Sequence, residues 1–235
     1  MGRPGLGMTE GMSPAKSSTS PRGAEAYLPA RKSRAALVKA VDQCQGCELY
    51  EAATQAVFGS GSTSARIMLV GEQPGDREDR EGEPFVGPAG RLLDRALAEA
   101  GIDPDDTYRT NAVKHFRHTE QGKRRMHQTP DLSHMVACSP WLEAELALVE
   151  PRGLVVLGAS AGKAFYGSSF KLRSMRGGPH SWPANSRIAV EHPPEWLVVT
   201  THPSAVLRAQ DQRHQAFEEF VDDLRVVQEA LKGSG

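Results

Sequence analysis

Three cysteines are the side chains whose chemistry is easiest to anticipate. Cys44 and Cys47 form a C-x-x-C pair, and Cys138 lies far along the chain. The pair follows a helical segment instead of opening a helix after a strand, which argues against a thioredoxin-like redox motif. Three thiols leave a four-coordinate site for zinc or an iron–sulfur cluster one ligand short. If no metal binds, Cys138 is simply a buried helix residue.

Histidine could complete such a site, and three histidines lie at suitable places. His134 precedes Cys138 by four residues, so the two would share one face of a helix. His115 ends a predicted strand, where a fixed backbone can aim its ring, and His118 follows shortly. The spacing leaves the choice between the three histidines open.

A run of three cations leads into another histidine in the segment GKRRMHQTPD. Lys123, Arg124 and Arg125 are followed by Met126 and His127. Short charge runs usually face water, so composition alone predicts a solvated basic loop. The alternative is a loop that holds a histidine against a negatively charged polymer. Because the formal net charge of the chain is -1, a local patch would have to bind that polymer.

The chain as a whole has the composition of a folded domain. Its 235 residues are 39% hydrophobic and 24% charged, and no apolar run approaches the roughly 20 residues that span a bilayer, so no membrane partner is expected. The Gly-, Pro- and Ser-rich N-terminal stretch lacks the apolar segment of a signal peptide. We therefore expect a flexible tail at residues 1–30, a single domain at residues 31–235 and a cytoplasmic location.

Alternating strands and helices must position these side chains. Short apolar runs predict strands at ARIMLVGE, TYRTNAVKHF, RGLVVLG and LVVT, with helices between them. Pro140 is expected near a break in one of these helices. The alternation indicates an α/β fold with a largely parallel sheet. Function in such folds gathers in the loops that follow the strands, here after Val70, Val113, Leu157 and Thr200.

Three ordered motifs connect the chain to a known family. They are VGEQPGDREDREGEPFVGPAGRLLD at residues 70–94, TNAVKHF at 110–116 and THPSAVLR at 201–208. Together they resemble the uracil-DNA glycosylase superfamily, most closely its iron–sulfur branch, which reads GEAPG, PFVG.AG, N.VKC and HPS. Gln73, where that branch has Ala or Gly, and the inserted KRRMH resemble the subfamily called UdgX. The resemblance implies a three-layer α/β/α sandwich around a mostly parallel four-stranded sheet.

The resemblance also implies a metal centre. The iron–sulfur branch has a cysteine where this chain has His115, in VKH. The implied ligands of a 4Fe–4S cluster are therefore Cys44, Cys47, His115 and Cys138, with zinc as the alternative metal. A cluster held by these residues would anchor the loops that face DNA.

Uracil recognition is the chemistry that the motifs imply next. A glycosylase flips the nucleotide out of the stack and reads the edge of its base. Phe85 would stack on uracil, unless it is a core residue, and Asn111 would pair with O4 and N3–H. Gly71 would let the backbone approach the nucleotide closely. His202 would stabilise the negative charge at O2 of the departing base, and Gln73 would orient the sugar or base.

In UdgX-like proteins the loop histidine attacks C1′ and remains bound to the abasic site. The corresponding residue is His127, and Glu72 would orient its ring or accept its proton. The resemblance thus implies a single-turnover reaction. Asp76 and Asp79 either brace the loop or belong to a solvated acidic segment.

The implied partner is uracil-containing DNA, bound by a monomer. Single strands, which need no unpairing, should be at least as good a substrate as duplexes. The expected contacts to DNA are Lys123, Arg124, Arg125, Ser204 and Arg208. Two alternatives are a conventional glycosylase that uses water and turns over, and a non-catalytic protein that binds uracil or abasic DNA.

Overall fold

A six-stranded sheet with helices on both faces forms the centre of the computed structural model, which describes residues 23–233. Along the chain the strands are β1 (Ser60–Gly61), β2 (Ile67–Gly71), β3 (Thr107–Asn111), β4 (His118–Gln121), β5 (Arg124–His127), β6 (Gly153–Leu157), β7 (Pro179–His180) and β8 (Trp196–Thr200). The α-helices are α1 (Arg34–Val41), α2 (Asp76–Glu81), α3 (Pro88–Glu99), α4 (Leu132–Val149), α5 (Gly158–Tyr166), α6 (Pro203–Arg208) and α7 (Arg213–Gly233). The described residues also contain 3-10 helices at Ala24–Tyr27, Glu48–Glu51, Pro104–Asp106, Leu172–Ser174 and Gln210–Gln212.

The four central strands run parallel in the order β3, β2, β6, β8, which confirms the predicted four-stranded centre. β1 and β7 pair antiparallel at the two edges. Each of these edge strands has two residues, too few to leave a readable pattern in the sequence.

Side chains of the central strands alternate between two cores, because successive residues of a strand point to opposite faces. In β2, Met68 and Val70 pack with residues of α1, α4 and α5. Ile67 and Leu69 pack on the other face with residues of α3, α6 and α7. The result is the three-layer α/β/α arrangement.

The carboxyl ends of the parallel strands meet at one edge of the sheet. Gly71, the last residue of β2, pairs with Asn111, the last residue of β3, and β8 ends nearby at Thr200. The segments that follow these three strands therefore converge, as the rule for open α/β sheets predicts.

The basic segment is not the loop that its composition predicts. Arg124–His127 forms β5, which pairs antiparallel with β4 in a separate two-stranded sheet. A two-residue turn joins the strands, and Gly122 in that turn has a φ of 60°, which side chains rarely adopt. The hairpin was missed because consecutive cations hide the alternation of apolar and polar residues.

Pro140 does not break its helix, contrary to the sequence-based expectation. α4 continues through it from Leu132 to Val149. Proline has no N–H to offer the carbonyl of Val136, one turn earlier. The hydroxyl of Ser139 donates to that carbonyl instead, at 3.0 Å.

The predicted tail at residues 1–30 lies mostly outside the described residues, which begin at residue 23. Within the described part, Ala24–Tyr27 forms a 3-10 helix, and Ala24 is buried in the core beside α4. Packed structure therefore includes residues that the prediction assigned to the tail.

Across residues 23–233, no helix combines the length and the apolar character needed to cross a lipid bilayer.

A fully buried ion pair joins the end of β3 to α4. Nζ of Lys114 lies 2.5 Å from Oε2 of Glu145 and also donates to the hydroxyl of Thr110 and the carbonyl of Asn111. Oε1 of Glu145 accepts from the hydroxyl of Tyr108 at 3.2 Å. Because every polar atom of the pair is bonded, the charges are tolerated in the core.

Removing one partner of this pair should be strongly destabilising. We expect Lys114→Met to lower the free energy of unfolding by about 3–5 kcal/mol, since the Glu145 carboxylate would be left buried without its counter-charge. Arg66→Met, which breaks the exposed pair with Asp106, is the matched control and should cost about 0–1 kcal/mol. Urea denaturation measures both, and equal losses would contradict the prediction.

Candidate active site

A cavity of about 540 Å³ opens at the carboxyl ends of the parallel strands. It is lined by Glu72, Gln73, Gly75, Glu78, Phe85, Ala89, Asn111, Met126, His127, Thr129, His202, Ser204 and Arg208. The cavity thus brings together side chains from all three sequence motifs and from the β4–β5 hairpin.

The inner part of the cavity is shaped by a glycine. A Cβ on Gly71 would lie 2.4 Å from Oδ1 of Asn111 and 2.9 Å from Cζ of Phe85. Only a glycine therefore allows both side chains to occupy these positions. Within the described part of the chain, the Asn111 amide makes no hydrogen bond, so it is free to pair with a ligand.

Phe85 is held in a constrained backbone conformation. Its φ is 60°, in the left-handed region that non-glycine residues seldom occupy. A Cβ on Gly90 would lie 1.5 Å from the Phe85 carbonyl oxygen, and Glu78 accepts from the backbone N–H of Gly87 at 2.9 Å. These contacts fix the Phe85 ring 6.4 Å from that of His202, at an interplanar angle of 29°.

His202 is a neutral hydrogen-bond donor. Its Nδ1 accepts from the backbone N–H of Ser204 at 3.1 Å, and the Ser204 hydroxyl lies 2.8 Å from the same nitrogen. The proton of the neutral ring is therefore on Nε2. Burial lowers the pKa of His202 to about 4, against the opposing effect of Glu72.

His127 and Glu72 meet at the mouth of the cavity. Nε2 of His127 lies 3.0 Å from Oε1 of Glu72, and the histidine ring is half exposed. Oε1 is shielded from water and makes no hydrogen bond of normal geometry, so it retains capacity to accept a proton. Burial acts to raise the pKa of Glu72, but His127 and Ser160 outweigh it and hold that pKa below its usual range.

Ser160 is a site residue that sequence reasoning missed. It lies in the first turn of α5, and its side chain helps to lower the pKa of the Glu72 carboxyl group. The one available signal was its position after Leu157, at the carboxyl end of a predicted strand.

Gln73 holds the hairpin and also lines the cavity, and its contact with the sugar or base stays a prediction. Its Oε1 accepts from the N–H of Arg117 at 2.9 Å, and its Nε2 donates to the carbonyls of Arg117 and Gln128 at 3.2 and 3.0 Å. Arg117 and Gln128 flank the two hairpin strands. The amide is thus bound to backbone, and Gln73 positions the strand that carries His127.

Arg125 is likewise an anchor of the hairpin instead of a contact to phosphate. Its guanidinium bonds Asp76 at 2.5 Å and Asp79 at 2.6 Å and is mostly buried. Asp79 has no exposed surface and also accepts from the N–H of Thr54. Asp76 and Asp79 therefore brace the hairpin; Asp79 is fully buried, whereas the side chain of Asp76 is partly exposed.

Lys123 and Arg124 are both exposed, in contrast to Arg125. Ser204 and Arg208 line the cavity. These four polar or cationic side chains are the predicted DNA contacts that the structure leaves accessible.

Cys44, Cys47 and Cys138 are all buried and free of disulfides. The sulfur of Cys44 accepts from the Trp141 indole N–H at 3.2 Å, and that of Cys138 accepts from the backbone N–H of Lys114 at 3.3 Å. Burial raises the pKa of Cys138 to about 12, with smaller contributions from the other two cysteines. All three thiols belong to the same core cluster.

His115 is better suited to bind a metal than His118 or His134. Its ring is buried, and burial lowers its pKa to about 4, so the imidazole is neutral. His134 is occupied, because Nδ1 accepts from the Asp131 N–H at 2.9 Å and Nε2 lies 2.7 Å from Glu48. His118, in the hairpin, stacks on Phe116, which lies just before the hairpin.

Among residues 23–233, no group of three or more His, Cys, Asp or Glu side chains is arranged to hold a metal ion. The chemistry of the donor set nevertheless fits a thiolate-binding cofactor, since three buried thiols form no disulfide, and neutral His115 directly follows Lys114, whose N–H bonds Cys138. A cofactor at these residues is therefore treated as part of the proposed function.

The class of protein to which this fold and cavity belong follows from similarity to known proteins. This chain belongs to the uracil-DNA glycosylase superfamily, whose family model matches residues 58–225. Similar proteins include the type-4 uracil-DNA glycosylase of Thermotoga maritima, 32% identical over 83% of this chain and 93% of that protein. The type-4 uracil-DNA glycosylase of Saccharolobus solfataricus is 34% identical over 81% of this chain and 83% of that protein. The predicted superfamily is thus confirmed.

The neutral state of His202 should make stability depend on pH. Below the ordinary histidine pKa of 6.5 the unfolded chain binds a proton at His202, whereas the folded protein does so only near pH 4. The contribution of neutral His202 to the free energy of unfolding is therefore fully present above pH 6.5, and it is lost as the pH falls towards 4. Urea denaturation between pH 7 and about 4 should show a shallower pH dependence for His202→Asn than for the wild type.

The matched control for that experiment is His214→Asn, because His214 is a highly exposed histidine on α7. Its denaturation profile should follow that of the wild type. A His202→Asn variant with an unchanged profile would show that the ring does not titrate as described.

Proposed function

We propose that this protein is a uracil-DNA glycosylase that cleaves the N-glycosidic bond of deoxyuridine and becomes linked through His127 to C1′ of the sugar. The observation that carries the proposal is the contact of His127 with Glu72 at the cavity mouth, 3.0 Å between Nε2 and Oε1. It supports assignment to the UdgX-like subfamily.

Uracil would be bound in the inner part of the cavity. The Phe85 ring offers an aromatic face, and the unpaired amide of Asn111 can bond both O4 and N3–H. A cytosine presents the opposite pattern at these two positions, so one amide orientation cannot serve both bases.

His202 would assist departure of the base. As the C1′–N1 bond breaks, its electron pair moves to the uracil ring, and negative charge develops at O2. The Nε2–H of His202 can donate to that oxygen, because Nδ1 is occupied by the Ser204 N–H. The neutral ring is a suitable donor, and it needs no change of protonation during the reaction.

His127 would then capture the sugar. The lone pair of a ring nitrogen forms the new bond to C1′, and the proton on the other nitrogen passes to the Glu72 carboxylate. Glu72 can accept it, because its lowered pKa keeps the carboxylate ionised and its Oε1 lies 3.0 Å from Nε2 of His127. Gln73 and Arg125 hold the hairpin in place for this attack.

A 4Fe–4S cluster would be held by Cys44, Cys47, His115 and Cys138. Its contribution would be structural: it would tie the N-terminal segment, the end of β3 and α4 together. The three buried thiols and the neutral ring of His115 support this assignment, and zinc is the alternative metal.

Single-stranded and duplex DNA containing uracil are the proposed substrates. Lys123 and Arg124 would bind phosphates beside the cavity, and Ser204 and Arg208 would bind the backbone of the flipped nucleotide. The proposed active form is a monomer.

A denaturing gel tests the covalent step. Incubation with a uracil-containing oligonucleotide should give a band of protein and DNA that resists heat and SDS. His127→Ala should abolish the band, because the ring proposed to attack C1′ at the mouth of the cavity is removed. Glu72→Gln should slow its formation by about 10²-fold or more, as expected for loss of a positioned base.

His214→Ala is the control in that assay and should form the adduct at the wild-type rate. Uracil release by the wild type with no adduct would instead indicate a conventional, water-using glycosylase. Binding with neither adduct nor uracil release would indicate a non-catalytic DNA-binding protein.

Spectroscopy and metal analysis test the cofactor. Protein purified without oxygen should absorb broadly in the visible range and contain about four iron and four sulfide per chain. His115→Ala should weaken or remove this absorption, whereas His134→Ala should retain it, because the ring nitrogens of His134 are already bonded. A colourless protein that contains zinc would overturn the cluster assignment.

A further inference from the structure

Arg117 closes the open end of the β4–β5 hairpin. It lies just before β4, and its backbone carbonyl accepts from the N–H of Gln128, the residue after His127, at 3.0 Å. Nη1 of Arg117 donates to the carbonyl of Thr129 at 2.8 Å and lies 2.8 Å from Oδ2 of Asp131. One guanidinium thus holds the chain where it leaves β5, directly after the proposed nucleophile.

The far end of this contact is itself fixed in the domain. Asp131 precedes α4, and its backbone N–H donates to Nδ1 of His134 at 2.9 Å. The His134 ring is buried, and its Nε2 lies 2.7 Å from Oε1 of Glu48. Arg117 therefore ties the hairpin to a helix whose first turn is held by side-chain contacts.

These contacts of Arg117 matter more for geometry than for stability. The side chain of Arg117 is 32% exposed and that of Asp131 is 63% exposed, and ion pairs with such exposed partners stabilise a fold very little. The bond to Thr129 acts at the site instead, because Thr129 lines the cavity two residues after His127. The position of the His127 ring therefore depends on where Arg117 holds the end of β5.

We propose that Arg117 is a positioning residue that favours capture of the sugar by His127 over capture by water. This inference rests on the proposed function. Once uracil has left with the electron pair of the C1′–N1 bond, C1′ is electron-poor, and either nucleophile can supply a new pair. Attack by His127 forms a C1′–N bond and passes the ring proton to Glu72. Attack by water forms a C1′–O bond and passes a water proton to the same carboxylate.

Loss of the Arg117 guanidinium should favour the attack by water. The end of β5 would lose its bond at Thr129, and the His127 ring would move relative to C1′. A displacement of about 1 Å can slow such a reaction by about 10²-fold. Water needs no such placement by the hairpin. Departure of uracil should change little, because the side chains proposed to bind the base lie outside the hairpin.

The test compares Arg117→Met with the wild type on a uracil-containing single strand under single-turnover conditions. The variant keeps the backbone groups that bond Gln73 and Gln128 and removes the guanidinium. A denaturing gel measures the adduct, and alkaline cleavage measures abasic strand that carries no protein. We expect the ratio of free abasic strand to adduct to rise about tenfold or more, while uracil release slows less than about threefold.

Two further variants separate positioning from folding. Because a single nitrogen of Arg117 makes both contacts, the ammonium of Arg117→Lys can replace it and should return the ratio towards the wild-type value. Arg152→Met is the matched control, since Arg152 lies 3.0 Å from Glu195 and donates to the carbonyl of Leu231. Arg152 precedes β6, at the end of the parallel strands opposite the cavity, so this variant should keep the wild-type ratio.

An unchanged ratio in Arg117→Met would overturn the inference. If uracil release and adduct formation then slowed together, the role of Arg117 would be structural, and if DNA binding weakened, Arg117 would be a contact to DNA. A wild type that releases uracil without forming an adduct would refute the covalent step of the proposed function. The role of Arg117 would fall with that step.

Discussion

The buried charge of Asp79 is the constraint on which the arrangement of the site depends. An unpaired carboxylate without exposed surface is costly in a protein interior. Arg125 supplies the counter-charge from β5, which draws the hairpin against the domain. A two-stranded hairpin is marginally stable alone, so this ion pair and the amide of Gln73 determine where His127 lies. The proposed nucleophile is thus positioned by an electrostatic requirement of the core.

Phe116 connects the hairpin to the cysteine-containing region. It follows His115 in sequence, and its buried ring lies 4.9 Å from that of His118 and 6.1 Å from that of His127. The Arg125 guanidinium lies 5.5 Å from the same ring. One aromatic side chain therefore links a proposed metal ligand to the proposed nucleophile. A substitution at either the proposed ligand or the proposed nucleophile should shift the other through packing, because tightly packed interiors transmit strain.

The sequence was sufficient to predict the parallel sheet and most of the cavity. Buried strands are readable as apolar runs, and motifs at their carboxyl ends meet because the strands are parallel. The hairpin was not readable, since Arg124–His127 contains no alternation to mark a strand. The partners of charged and amide groups were also hidden. The sequence does not show that Arg125 pairs with two aspartates, or that the amide of Gln73 bonds the backbone beside the hairpin.

The hairpin forms a sheet of its own and shares no ladder with the six-stranded sheet in the described structure. It connects β3 to α4, so its length can vary without shifting the register of any central strand. The proposed recognition of the base depends on Phe85, Asn111 and His202, none of which belongs to the hairpin. The group that accepts the sugar, either water or a protein side chain, could therefore change during evolution without a change in the uracil pocket. One pocket for uracil would then serve a recycling enzyme in one lineage and a self-consuming one in another.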